Sequence, residues 1–159
     1  MKCDKKDLLL YGVTDRSWLG ERTLYSAVEQ SILGGVTMVQ LREKDLAQEE
    51  FQKEARQIQE LCKKHQVPFL INDNVELAVE IEADGVHVGQ HDMEAGKVRQ
   101  KIGPDKILGV SAQTVEQALK AQAVAARTYA LRKMAHSSSA HPDADVCTDH
   151  TCCQAYITP

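Results

Sequence analysis

The 159-residue sequence has no basic excess, no long apolar run and no apolar stretch behind its charged N-terminus. A net charge of −4 at pH 7 does not favour a nucleic-acid partner. The longest apolar runs are too short to span a membrane. Without an apolar stretch there is no secretory signal, so we expect a cytoplasmic protein. The five cysteines are an odd number, and in a reducing compartment they predict free thiols rather than a disulfide scaffold.

Strand and helix patterns alternate over the first 115 residues. Apolar runs rich in β-branched residues predict five strands, over residues 8–14, 36–41, 68–71, 85–89 and 106–110. Helical apolar spacing predicts five helices, over residues 23–33, 47–65, 75–81, 93–102 and 114–135. Strands separated by helices indicate parallel βαβ units. Five such units fit an open doubly wound sheet or part of a (β/α)₈ barrel, and the glycine fingerprint that favours the former is absent after the first strand.

Polar residues follow the strands, at the end where parallel α/β folds place their sites. They are Asp15, Arg16, Gln40, Arg42, Lys44, Asn72, Asp73, Gln90, Asp92 and Ser111. Gln40, Arg42 and Lys44 alternate along an extended segment and so share one face, where an arginine fork and a lysine charge suit a diphosphate. Asp73 and Asp92 offer the hard oxygen ligands that suit Mg²⁺ bridging a diphosphate.

These residues also have a purely structural interpretation. Residues 42–44 can form a solvated charged loop, while Asp73 and Asp92 can cap the helices that follow them. His87 lies between two valines in the fourth predicted strand. A hydrogen-bonded imidazole packed in the core is the commoner situation for such a histidine, so we expect packing rather than catalysis there.

Five ordered segments resemble thiamine phosphate synthases over about residues 8–120. They are VTDR at 13–16, GGVTMVQLREK at 34–44, PFLIND at 68–73, ADGVHVGQ at 83–90 and ILGVSA at 107–112. The resemblance implies a (β/α)₈ barrel that joins hydroxymethylpyrimidine diphosphate to a thiazole phosphate and releases pyrophosphate. It also implies two sets of site residues, a substrate-binding set of Gln40, Leu41, Arg42, Glu43, Lys44, Asn72 and Ser111, and a Mg²⁺-binding pair of Asp73 and Asp92.

This resemblance ends near residue 120, where the later strands and the phosphate loops of the family have no counterpart. Residues 116–157 resemble instead the stage II sporulation protein D family. We therefore expect a fusion of two gene fragments, with a truncated barrel of about five βα units over 1–115 and a helix with a Cys/His-rich tail over 116–159. The tail contains a possible Zn²⁺ ligand set, His141, Cys147, Cys152 and Cys153. Free thiols in a frayed tail are the commoner outcome.

The expected function is that of a thiamine phosphate synthase, weakened because the part of the site for the thiazole phosphate is missing. A non-catalytic fragment that binds the pyrimidine diphosphate, or is inactive, is the alternative. A thiazole tautomerase is disfavoured by the complete set of diphosphate and metal residues. The expected partners are these small molecules, and self-association is expected because the first and fifth strands would be open edges.

Overall fold

The structure, a computed structural model, describes residues 4–135 and the side chains of residues 4–128. It divides into two compact units, one ending at Ser111 and the other beginning at Ala112. The strands of the first unit are β1 (Tyr11–Val13), β2 (Met38–Leu41), β3 (Phe69–Asn72), β4 (Gly85–Val88) and β5 (Ile107–Val110). Its helices are α1 (Leu24–Leu33), α2 (Gln48–Lys64), α3 (Val75–Glu80) and α4 (Ala95–Ile102). The second unit contains α5 (Val115–Ala135).

The five strands form one parallel sheet in the order β1-β2-β3-β4-β5. Each strand pairs with the next along the chain, because a helix returns the chain to the same edge after every strand. A doubly wound sheet reverses its strand order around a switch point. No reversal occurs among the described strands, so the doubly wound alternative does not fit.

The apolar core lies between the sheet and its helices. From β2, β3 and β4, alternate residues face the helices and are buried: Val39, Leu41, Phe69, Ile71, Val86 and Val88. Ala55 and Ile58 of α2 are fully buried against them. Each large aliphatic side chain buried in this way contributes roughly 1.5–3 kcal/mol. The other residues of each strand face away from the helices, and this second face carries the polar groups described below.

Local capping fixes where the helices begin and end. Thr23 precedes α1 and accepts a hydrogen bond from Ser26 N at 3.1 Å. The helix ends at Leu33 with Gly34 as its C-cap, and Gly35 then adopts a φ of +107°, which glycine tolerates best. In the second unit, Thr114 and Gln117 form a reciprocal cap before α5, with the Gln117 side chain accepting from Thr114 N and Thr114 Oγ1 accepting from Gln117 N.

The N-terminal side of the sheet carries exposed apolar groups. Among the described residues, β1 pairs only with β2, and β5 pairs only with β4. Leu8, Leu9 and Leu10 precede β1 and are exposed. Residues 5–8 form a 3₁₀ helix, so the first strand is shorter than the predicted 8–14. Within residues 4–135, no helix is both long and apolar enough to cross a bilayer.

Candidate functional site

A cavity of about 470 Å³ opens at the carboxyl ends of the strands, on the face turned away from the helices. All five strands or the loops after them contribute to it. Its lining residues are Tyr11, Val13, Gln40, Arg42, Lys44, Asn72, Asp73, His87, Gly89, His91, Asp92 and Ser111. The strand residues in this set alternate with the buried apolar ones, because successive side chains of a strand point to opposite faces.

The predicted alternation along 40–44 is present, with Gln40, Arg42 and Lys44 all lining the cavity. Gln40 is 4% exposed, and its Nε2 donates to Tyr11 Oη at 2.8 Å. Thr14 holds the backbone of Arg42, since its Oγ1 accepts from Arg42 N at 2.9 Å and donates to Arg42 O at 3.3 Å. The Arg42 guanidinium reaches Asp15 only at 4.0 Å. Both cations of the segment therefore face the cavity.

Leu41 and Glu43 point the other way. Leu41 is fully buried in the core beside the helices. The Glu43 side chain is 3% exposed and contacts Arg16 Nε at 2.9 Å, and burial raises the pKa of this carboxyl. Any contact of these two residues with a ligand would therefore come from their backbone. The interpretation of residues 42–44 as a solvated charged loop is wrong for Glu43, whose side chain is buried and ion-paired, whereas Arg42 and Lys44 do lie in a loop and are partly or fully exposed.

Asp73 and Asp92 line the cavity from the ends of β3 and β4. Asp73 adopts a φ of +62°, and its N–H donates to His87 O at 2.8 Å. Asp92 Oδ2 accepts from Gly89 N at 2.6 Å. Neither carboxylate caps a helix, because Asn74 caps α3 and Glu94 precedes α4. The capping interpretation of both aspartates is therefore wrong.

The two carboxyl groups are neighbours in the cavity, and each influences the pKa of the other. Burial and the neighbouring Asp92 raise the pKa of Asp73, whereas the Gly89 N–H lowers the pKa of Asp92. Adjacent carboxylates of this kind suit a hard divalent cation. No group of three or more His, Cys, Asp or Glu side chains suited to a metal occurs in the described part of the chain. Asp73 and Asp92 are thus the described carboxylates that could hold a divalent cation here.

His87 and Ser111 form the remaining polar side of the cavity. His87 Nε2 lies 2.9 Å from Ser111 Oγ, and burial lowers the pKa of the imidazole. The expected hydrogen bond is present, but the expectation that His87 packs in the core is wrong, since its ring lines the cavity. The ring fits because Gly109 lies opposite it in β5: a Cβ at 109 would be 2.3 Å from His87 Nδ1.

Besides Leu41 and Glu43, three predicted residues do not line the cavity, namely Asp15, Arg16 and Gln90. Asp15 accepts from Ser17 N at 2.9 Å, and the Gln90 amide donates to Ser111 O. The polar lining residues that the sequence analysis did not consider are Tyr11 and His91. Tyr11 is a strand residue in phase with Val13, and His91 is a neighbour of Asp92. Strand phase is the signal that identifies Tyr11. The predicted Zn²⁺ ligands His141, Cys147, Cys152 and Cys153 lie outside the described residues.

Comparison with known proteins gives one consistent family. A family model described as thiamine monophosphate synthase matches residues 10–150. The thiamine-phosphate synthase of Clostridium botulinum is 49% identical over 119 residues, which cover 75% of this chain and 56% of that protein. The one from Clostridium beijerinckii is 45% identical over 141 residues, covering 89% of this chain and 67% of that protein.

A solved structure, thiamine phosphate pyrophosphorylase from Pyrococcus furiosus, matches with a TM-score of 0.68 and 30% identity, covering 75% of this chain and 57% of that chain. The chain thus spans about half the length of most of these relatives. Nothing in these matches supports the second resemblance, to the sporulation protein D family, because the family model continues through residues 116–150. The chain belongs to the thiamine monophosphate synthase family.

Proposed function

We propose that the cavity binds hydroxymethylpyrimidine diphosphate together with Mg²⁺, as the first half of a thiamine phosphate synthase site. One observation carries this proposal. The cations at the end of β2 and the carboxylates after β3 and β4 line the same cavity. Lys44 is near enough to Asp73 and Asp92 to favour the ionised form of each. A diphosphate bound with its cation needs both kinds of group close together.

Each part of the cavity has a role in this proposal. Arg42 and Lys44 bind the diphosphate oxygens, and Asp73 and Asp92 hold the cation. When bound, Mg²⁺ supplies neutralisation of the negative charge on the leaving diphosphate. The polar side chains on the strands, Gln40, Asn72, His87 and Ser111, present hydrogen-bonding atoms to the aminopyrimidine ring.

The reaction proposed for the site needs no side-chain nucleophile. The bond between the pyrimidine methylene carbon and the diphosphate oxygen breaks, and its electron pair leaves with the diphosphate. The aminopyrimidine stabilises the resulting carbocation, which the thiazole nitrogen attacks to form the new C–N bond. Arg42 and Lys44 stabilise the charge that develops on the leaving group, and the ring-binding residues hold the carbon in position.

We also propose that the five βα units are a segment of a (β/α)₈ barrel, as the consecutive strand order favours. In the family, later units bind the thiazole phosphate, so binding of the pyrimidine diphosphate without turnover is the second candidate function. The observation that favours it is that every predicted substrate-binding residue and both predicted Mg²⁺ ligands precede Ala112.

The fusion of two gene fragments stays a proposal about residues 116–157. It rests on the resemblance of residues 116–157 to the stage II sporulation protein D family. Sequencing one continuous DNA molecule across codons 100–140 tests it. One uninterrupted reading frame is expected, and two separate loci would contradict it.

Two assays test the proposed function. Ligand at 100 times its dissociation constant should add about 2.7 kcal/mol to the free energy of unfolding, and we expect this only when the pyrimidine diphosphate and Mg²⁺ are both present. Lys101→Met, which removes an exposed ion pair between α4 and α3 at residues that do not line the cavity, is the control and should show the same shift. Formation of thiamine phosphate from both substrates then separates a working synthase from a binding fragment. Stabilisation without product selects the fragment, and the absence of any shift refutes both.

A further inference from the structure

We infer that the Arg16 cluster, formed by Arg16, Glu43 and Glu54, is a positioning device that aims Arg42 and Lys44 at the diphosphate. This inference rests on the proposed function of the cavity. The cluster joins three separate segments: the loop after β1, the loop after β2, and the helix α2. None of its three side chains lines the cavity.

The geometry of the cluster is that of a bridge. Arg16 Nε contacts Glu43 Oε2 at 2.9 Å, and Arg16 Nη2 contacts the two carboxylate oxygens of Glu54 at 2.6 and 2.7 Å. Glu43 is almost fully buried, while the Glu54 side chain is 20% exposed. A guanidinium can bind two carboxylates at once because its donors form a rigid planar fork. The bridge therefore anchors the β2 loop to α2.

Anchoring Glu43 constrains the residues on either side of it. In an extended segment, holding the middle side chain on one face turns both neighbouring side chains to the other. Arg42 and Lys44 are these neighbours, and both line the cavity. Thr14 fixes the same segment through the backbone of Arg42. The loop after β1 thus holds the diphosphate-binding segment at two points, by a backbone clasp and by a buried ion pair.

If Arg16 instead bound phosphate directly, the change in anion affinity caused by Glu43→Gln would have the opposite sign. Replacing Glu43 by Gln removes a negative charge near the anion site and frees one donor of Arg16. Electrostatics alone would then strengthen anion binding. If the cluster acts by positioning, Glu43→Gln weakens anion binding although the protein becomes less negative. The sign of the change separates the two roles.

The experiment is a calorimetric titration of inorganic pyrophosphate, with Mg²⁺ present, into the full chain. We expect Glu43→Gln to weaken binding by roughly fivefold or more, since the binding segment is no longer held in position. Glu54→Gln alters the more exposed end of the bridge and should weaken binding in the same direction. The Glu54→Gln variant keeps the test valid if loss of the buried Glu43 carboxylate prevents folding. The urea unfolding midpoint of each variant shows whether it folds.

A rescue variant and a control complete the design. Arg16→Lys keeps the charge but cannot bridge both carboxylates, so its affinity should lie between those of the unaltered chain and Arg16→Met. Lys101→Met removes an exposed ion pair on α4 and should bind pyrophosphate within about twofold of the unaltered chain. If the cluster had only a structural role, its variants would have lower unfolding midpoints, but their affinities for pyrophosphate would not fall in the order unaltered chain, Arg16→Lys, Arg16→Met.

The outcomes distinguish this inference from the function on which it rests. Binding by the unaltered chain with weaker binding by Glu43→Gln supports the positioning role. Binding by the unaltered chain with equal or tighter binding by Glu43→Gln overturns the inference and leaves the proposed function intact. No binding of pyrophosphate by the unaltered chain refutes the proposed function, and the inference with it.

Discussion

Gly109 is the position at which a single methyl group should disturb the cavity most selectively. It lies in β5 opposite His87 in β4, and a Cβ there would be 2.3 Å from His87 Nδ1 and 3.1 Å from Cγ of the same ring. Ordinary van der Waals contact begins near 3.4 Å. In Gly109→Ala the imidazole must therefore move by about 1 Å.

That movement has a cost that follows from the contacts of the ring. The hydrogen bond between His87 and Ser111, 2.9 Å long, would be stretched beyond bonding distance. Losing it costs about 1 kcal/mol, and the crowding adds roughly 1–3 kcal/mol. We expect Gly109→Ala to lower the free energy of unfolding by about 2–4 kcal/mol. Binding of the pyrimidine diphosphate should weaken by about tenfold, because two side chains that line the cavity are displaced.

Two further glycine-to-alanine variants calibrate this prediction by urea denaturation. A Cβ at Gly85 would lie 2.3 Å from the Ile107 carbonyl oxygen, which is backbone and cannot move aside, so Gly85→Ala should cost more than Gly109→Ala. A Cβ at Gly96 in α4 meets nothing closer than 3.6 Å, and Gly96→Ala should stabilise the protein by about 0.5–1 kcal/mol. Unchanged stability and affinity in Gly109→Ala would refute the described packing of His87.

Three other changes have defined outcomes. Asp73→Asn should abolish Mg²⁺-dependent binding of the pyrimidine diphosphate. It should also raise stability at pH 7, because burial and Asp92 raise the pKa of Asp73 in the folded state, so that its ionised form destabilises the fold. The gain should shrink as pH falls below that raised pKa and be gone below the unfolded-state pKa, and a gain independent of pH in urea denaturation would contradict this. Burial raises the pKa of the Cys62 thiol to about 12. In a variant with the other four cysteines replaced by serine, a thiol reagent at pH 8 should therefore react only after unfolding. Rapid labelling of the native protein would contradict the burial of Cys62. Asn74→Ala should lower the free energy of unfolding by about 1 kcal/mol, because Asn74 Oδ1 accepts from Leu77 N at 2.9 Å; no loss would show that this cap is dispensable.

The helices of the first unit and most strands could be predicted from the sequence because each of those helices buries one face only. The segment predicted as 47–65 is α2 at Gln48–Lys64, and the one predicted as 23–33 is α1 at Leu24–Leu33. The first strand was predicted too long, since an apolar run alone does not show where strand pairing stops. Leu10 N bonds to Thr37 Oγ1 rather than to a backbone carbonyl, and the regular ladder begins at Tyr11.

The sequence predicts the cavity residues that follow β2, but it does not predict His87, the cavity residue inside β4. Residues 40–44 leave the sheet as a polar segment, so the sequence shows which of their side chains share a face. Strand β4 is different, because the valines on either side of His87 made the whole strand look buried. The sequence could not show which face belongs to the helices. Nor could it pair Arg16 with Glu43 and Glu54, since these contacts join residues 27 and 38 positions apart.

The central claim is that one cavity binds the pyrimidine diphosphate and its cation together. The most direct measurement is a calorimetric titration of hydroxymethylpyrimidine diphosphate into the full chain, once with Mg²⁺ and once with EDTA. We predict saturable binding at one site per chain with Mg²⁺, and affinity at least tenfold weaker without it, since the leaving-group charge is then opposed by Asp73 and Asp92. Equal affinity in the two titrations, or no binding in either, would contradict the account.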